Sequence, residues 1–183
     1  MKEYHIAVIV GSPRRDSYNQ HLADALVKLA PVGFSFYQVQ IRDLPLYNQD
    51  DDENPKGPVV QMKKEIQKAD GILIVTPEYN RSIPGVLKNA LDQGSRPPGQ
   101  NIWAKKPAGI LGVSPGASGT AMSQQHLRNV LSYLDMPVLR QPEAYLQLRE
   151  GMFDSAGNIG EGSRSFLQKW MDAYVSWIEK NAG

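Results

Sequence analysis

The chain has 183 residues, 20 of them basic and 19 acidic, no cysteine, and a formal charge of +1. A single domain of this length, 1–183, buries roughly 70% of its unfolded surface and needs no disulfide or metal staple. The lack of cysteine excludes disulfides, thiolate metal sites and thiol nucleophiles, and the balanced charge argues against a nucleic-acid partner. The longest apolar runs, 6–10 and 71–75, are far shorter than the ~20 residues that cross a bilayer. The start, MKEYH, has no basic block followed by an apolar one. The expectation is a soluble, cytoplasmic protein with no membrane partner.

Short apolar runs alternate with helical patterns along the chain. The first strand is expected at 4–10, followed by a helix over 18–29, and the second strand at 34–41, followed by a helix over 58–69. The third strand is expected at 71–76 with a helix over 84–93, the fourth at 108–113 with a helix over 119–134, and the fifth at 144–148 with a helix over 160–180. Strands alternating with helices imply right-handed crossovers and a mostly parallel sheet covered on both faces. The second strand, FSFYQVQI, alternates in polarity more than the others, which places it at an edge. In the last helix Phe166, Leu167, Trp170, Met171, Tyr174 and Ile178 recur at helical spacing and read as core. The acidic run 50–53 reads as a solvated loop, since its spacing matches no calcium loop.

In an open parallel sheet ligands bind beyond the carboxyl ends of the strands, where the strand order reverses. For the order 2-1-3-4-5 that point lies between strands 1 and 3. After strand 1 comes Gly-Ser-Pro-Arg-Arg-Asp-Ser-Tyr-Asn-Gln, 11–20. A helix N-terminus offers unpaired N–H groups to an anion, and Ser12, Arg14, Ser17 and Asn19 can add hydroxyl, guanidinium and amide donors. Ser17-x-x-Gln20 is equally a capping box, and the loop is neither a P-loop nor G-x-G-x-x-G. After strand 3, Pro77 and Pro84 bracket Glu78, Tyr79, Asn80, Arg81 and Ser82, stiffening a loop that either aims its N–H groups at a planar ligand or forms a plain surface turn. After strand 4, Ser114, Pro115, Gly116 and their small neighbours allow close approach of another body, or simply flexibility. Three such loops side by side favour a ligand site. His5, His21 and His126 fall in a strand and two helices, away from these loops.

These motifs resemble the flavodoxin-like NAD(P)H-dependent FMN reductases, in particular the branch of quinone and chromate reductases. Gly11, Ser12, Arg14, Ser17 and Asn19 match G-S-x-R-x-x-S-x-N. Pro77, Glu78, Tyr79 and Asn80, then Ser82, Pro84 and Gly85, match P-E-Y-N followed by S-x-P-G. The likeness continues through 87–92, 95–97 and Lys106-Pro107, so it covers the chain essentially from end to end. It implies an α/β, flavodoxin-like three-layer sandwich with a five-stranded parallel sheet of order 2-1-3-4-5. It also implies bound FMN, NADPH or NADH as co-substrate, and a quinone or similar small electron acceptor. Ser12, Arg14, Ser17 and Asn19, with Gln20, would hold the phosphate. Pro77, Glu78, Tyr79 and Asn80 would line the pyrimidine side and one face of the ring, and Ser114 and Gly116 the other flank. Catalysis would need no protein acid or nucleophile.

The resemblance further implies a homodimer or homotetramer with flavin sites near the dimer interface, where Arg96 could reach the neighbouring site. The tetramer network of some relatives is incomplete here: Arg81 stands in place of a Tyr, and Met122 and Gln125 in place of Arg and Tyr, while Glu143 is present. Two rivals are weaker. A flavodoxin-type electron carrier is usually strongly acidic, and a signalling receiver domain needs an acidic pair after strand 1.

Overall fold

In the computed structural model, which describes residues 2–183, the apolar runs become five strands: β1 (Tyr4–Val10), β2 (Phe34–Gln38), β3 (Gly71–Val75), β4 (Ala108–Ser114) and β5 (Tyr145–Gln147). All neighbours pair in parallel, as the alternating pattern implied, in the order β2-β1-β3-β4-β5 that the family resemblance implied. Every residue of β3 is buried, which is what a continuous apolar run does when helices cover both faces of a sheet. β2 lies at one edge and stops three residues short of the expected end. Val39 still donates its N–H to Val8 O at 2.9 Å, but Val39 and Ile41 then turn into the core.

The helices are α1 (Tyr18–Leu26), α2 (Gly57–Lys68), α3 (Gly85–Gly94), α4 (Ala121–Tyr133) and α5 (Glu161–Asn181). The last expected turn of α1 tightens into a 3-10 turn over Val27–Leu29. One face of the sheet packs on Leu22 and Leu26 of α1 and on the apolar stripe of α5, while the other packs on Met62, Leu87, Leu91, Leu127 and Leu131 of α2, α3 and α4. In that α5 stripe Leu167, Trp170, Met171, Tyr174 and Ile178 are fully buried, whereas Phe166 is 41% exposed and stands off it. The Trp170 and Tyr174 rings stack at 5.4 Å. They lie against Gly109 of β4, where a Cβ would come within 2.5 Å of the Tyr174 ring. Among the described residues no helix is long and apolar enough to cross a membrane.

Because all strands run the same way, the turns after β1, β3 and β4 open at one edge of the sheet. Two glycines let their backbones approach. A Cβ on Gly11 would lie 2.7 Å from Thr76 Oγ1, and one on Gly112 would lie 2.0 Å from the Thr76 carbonyl oxygen. The second obstacle is backbone and cannot rotate away. Gly112→Ala is therefore expected to lower stability by about 1–3 kcal/mol through overpacking. Thermal or urea unfolding checks this, and an unchanged midpoint would show that β3 and β4 can separate at this level.

Candidate functional site

The first loop leaves β1 with Gly11 N–H donating to Val75 O at 2.9 Å. Ser12 Oγ accepts from Arg14 N at 3.4 Å. Ser17, buried, is the N-cap of α1, its hydroxyl accepting from Asn19 N at 3.2 Å. Among the described residues the N–H groups of Arg15, Asp16 and Ser17 make no hydrogen bond within the chain. They lie in the loop at and just before the N-cap of α1, where they add to the unpaired donors that a helix start presents to an anion.

The capping box does not close. Gln20 turns to β2 instead, donating to Gln38 Oε1 at 3.0 Å and to Asp24 Oδ1 at 2.9 Å. Asn19 is buried and pairs with the Val113 peptide of β4 on both sides: its amide donates to Val113 O at 2.9 Å and its oxygen accepts from Val113 N at 3.0 Å. That pairing ties the start of α1 to the strand that carries the third loop. Arg14 lies over the Tyr18 ring, 5.0 Å from its centre, and 3.7 Å from Asp16, with its side chain half exposed.

The second loop is held more firmly than its two prolines suggest. The Glu78 carboxylate, 9% exposed, accepts from Met122 N and Ser123 N at 3.1 Å each, so it caps the N-terminus of α4. Arg81 sits 3.5 Å from its other oxygen. The Pro77 carbonyl accepts from Ser123 Oγ at 3.1 Å and from Thr76 Oγ1 at 3.0 Å. Tyr79 and Ser82 exchange two backbone hydrogen bonds of 3.0 Å around Asn80 and Arg81, whose φ angles are 51° and 66°. Positive φ at both central positions makes this a tight type I′ turn, which Asn accepts readily and Arg rarely. Tyr79 is 44% exposed at its edge.

The third loop closes on itself. Ser114 Oγ donates to Gly119 O at 2.7 Å and accepts from Gly116 N at 3.1 Å. Nothing but Ser114 Oγ lies within 4 Å of a Cβ at Gly116, so this wall faces open space.

Two histidines lie closer to the loops than their elements suggested. His126 Nδ1 is 2.7 Å from Ser82 Oγ, and His21 Nε2 is 3.2 Å from Asp16. Helices run over the loops in space even where the chain separates them. Farther along α4, Gln125 donates to Glu143 Oε1 at 2.9 Å and to the Tyr145 hydroxyl at 2.6 Å, and Arg128 stands 3.8 Å from Glu143. Glu143 is thus held within its own chain. Burial, aided by a hydrogen bond to Glu143, pushes the Tyr145 phenol up, which keeps it protonated at neutral pH. Arg96 lies over the Tyr47 ring at 5.7 Å. A cavity of about 580 Å³ opens near Lys105, Val138 and Trp177 at the amino end of β4, remote from all three loops.

Thr76, Val113, Met122 and Ser123 were missed by sequence reasoning. Val113 and Met122 act through the backbone, which carries no side-chain signature, the Thr76 hydroxyl acts on its own neighbour, and Ser123 lies inside a helix pattern that gave no reason to single it out.

An open doubly wound sheet, a helix start with free N–H groups and two braced loops at the strand ends define a flavodoxin-like cofactor-binding protein. The sequence matches the NADPH-dependent FMN reductase family over residues 4–150, and the chain belongs to that family of oxidoreductases. It is 55% identical over 174 residues to a 2-hydroxy-1,4-benzoquinone reductase of Burkholderia sp, covering 94% of this chain and 95% of that one. It is 46% identical over 179 residues to a quinone reductase of Pseudomonas putida, covering 97% and 96%. Among solved structures it is similar to FerB, a flavoenzyme NAD(P)H:(acceptor) oxidoreductase of Paracoccus denitrificans. The TM-score is 0.94 and the identity 42%, with 98% of this chain and 100% of that one covered.

Asn19→Ala would leave the buried Val113 peptide without partners. A loss of about 1–3 kcal/mol is expected. Chemical denaturation measures it, and a variant as stable as the parent would show that water or a neighbour replaces the amide.

Proposed function

We propose that residues 1–183 form a single FMN-binding domain that passes electrons from NADH or NADPH to quinones or similar small acceptors by a ping-pong mechanism. The observation that carries this reading is the meeting, at one edge of the sheet, of the open N-terminus of α1 with the braced 77–82 loop and the small-residue loop 114–119. The free N–H groups of 15–17, with Ser12, Arg14 and Ser17, fit a phosphate monoester. Asn19 and Gln20 set this loop from behind, through Val113 and Gln38. Pro77, Glu78, Tyr79 and Asn80 would meet the pyrimidine edge and one face of the ring, with the Glu78 carboxylate turned away to α4 and the backbone turned to the ligand. Ser114 and Gly116 would flank the other side.

Bound FMN would supply the redox chemistry, accepting a hydride from the nicotinamide and passing it on to the acceptor. The chain's part is placement and fixed charge. Backbone N–H groups locked by the type I′ turn and by Glu78 favour negative charge at the pyrimidine edge without reorganising. No side chain is given the role of acid, base or nucleophile, and His126 serves to hold Ser82. An open site of this kind selects acceptors weakly, so chromate, azo and nitro compounds join quinones as candidate acceptors. The assembly is a homodimer or homotetramer in the cytoplasm, with flavin sites near the dimer interface. Exposed Leu46, in the loop before α2, and Tyr133, at the end of α4, are apolar side chains that such an association could cover.

The purified protein is expected to show a flavin spectrum that bleaches with NADH or NADPH and returns on adding benzoquinone. A colourless protein that takes up no FMN overturns the reading. Initial rates at varied co-substrate and quinone should give parallel double-reciprocal lines, and converging lines would exclude ping-pong. Arg14→Ala should raise the FMN Kd about 10- to 100-fold, the equivalent of ~1.5–3 kcal/mol for a charged hydrogen bond. An unchanged Kd would leave the phosphate to the backbone alone.

A further inference from the structure

A second group of cations lies behind the phosphate loop and is left over once that loop is given to the flavin. A cleft runs between the first loop and the end of β2, lined by Ser12, Arg14, Arg15, Gln40 and Arg42 and bordered by Val86 at the start of α3. It therefore touches both the first loop and the helix that comes after the second. Its back is closed by a reciprocal amide pair, Gln20 to Gln38 at 3.0 Å and Gln38 to Gln20 at 2.8 Å. Three guanidiniums line it. Asp16 stands 3.7 Å from Arg14 and is shared with His21 at 3.2 Å, while Arg15 and Arg42 form no ion pair among the described residues. Like charges gathered on one cleft concentrate anions there, and paired guanidinium forks suit a phosphate better than a carboxylate held in water.

FMN carries one phosphate, for which Ser12, Arg14, Ser17 and the start of α1 suffice. NADPH differs from NADH only by a further phosphate monoester, on the 2′ position of its adenosine ribose. Resting on the flavin reading above, we infer that Arg15 and Arg42 bind the 2′-phosphate of NADPH and make the enzyme prefer it over NADH.

The test compares kcat/KM for NADPH and for NADH, with benzoquinone as acceptor, in the flavin-loaded enzyme and in Arg15→Ala, Arg42→Ala and the double variant. Two charge-assisted contacts are expected to cost NADPH about tenfold or more while leaving NADH and the FMN content unchanged. Arg42→Lys, which keeps charge but loses the fork, should fall between. Calorimetric titration with adenosine 2′-monophosphate against adenosine 5′-monophosphate reads the site directly: the 2′ isomer should bind more tightly, and the double variant should erase the difference. An equal fall for NADPH and NADH, an unchanged ratio, or loss of FMN from the double variant would overturn the inference, the last by giving the cleft to the flavin phosphate. The calorimetric arm needs no turnover, so a chain that failed to bind FMN would refute the flavin reading while the titration still decided whether the cleft prefers the 2′ isomer.

Discussion

The pairing of the Asn19 amide with the Val113 peptide is the contact on which the geometry of the ligand edge depends. It joins the first turn of α1 to β4 across the carboxyl ends of β1 and β3. The amide engages donor and acceptor at once, so it fixes direction as well as distance. Both bonds lie in buried surroundings, where breaking them would strand a peptide group away from water. Loop 11–17 consequently hangs between two anchors, Gly11 on Val75 at one end and Asn19 on Val113 at the other. Between them the N–H groups of Arg15, Asp16 and Ser17 stay unpaired because neither anchor uses them.

Glu78 does the same work for the second loop by a different means. Its carboxylate sits on two N–H groups at the start of α4, where the helix dipole also favours a negative charge. The carboxylate holds α4 and the loop in one piece, and Ser123 adds a second tie through Pro77 O. The type I′ turn beyond it can then hold Arg81 at a positive φ, a conformation it would not choose alone. Arg81 in turn pairs with Glu78, so its charge steadies the brace rather than reaching for a ligand.

Most of the architecture was legible in the sequence, because continuous apolar runs and helical spacing report burial directly. The parallel sheet and the edge position of β2 followed from those patterns, and so did the core role of the α5 stripe, apart from Phe166, while the order of strands came with the family resemblance. The end of β2 falls short of its sequence pattern because Val39 and Ile41 continue the alternation of FSFYQVQI while serving the core as a loop. The site was legible as a set of residue types and less so as a set of roles. Ser17-x-x-Gln20 has the letters of a capping box, yet Gln38 on the neighbouring strand competes for Gln20 and wins. Asn19 and Glu78 look like ligand groups in the motif, and both spend their side chains on the scaffold. Spacing along a chain cannot show which partner a polar side chain meets across a sheet. The contact of His126 with the second loop is hidden in the sequence for the same reason.

The polar side chains around the three loops therefore divide by task. Asn19, Glu78, Ser114, Ser123 and Gln20 bond to the protein itself, and what they leave facing outward is backbone N–H. Backbone donors do not titrate and cannot swing aside, so a ligand edge built from them keeps its charge pattern at any pH at which the chain is folded. On the proposed reading such a surface suits a planar, electron-accepting edge and a phosphate, but carries little information about which acceptor comes next. Selectivity would then fall to the side chains that remain free, which around these loops include the exposed Tyr79 and a group of cations. Arg14 lies in the first loop, and Arg15 and Arg42 line the cleft behind it. On the proposed reading, discrimination would fall on the anionic ends of the cofactors rather than on the acceptor.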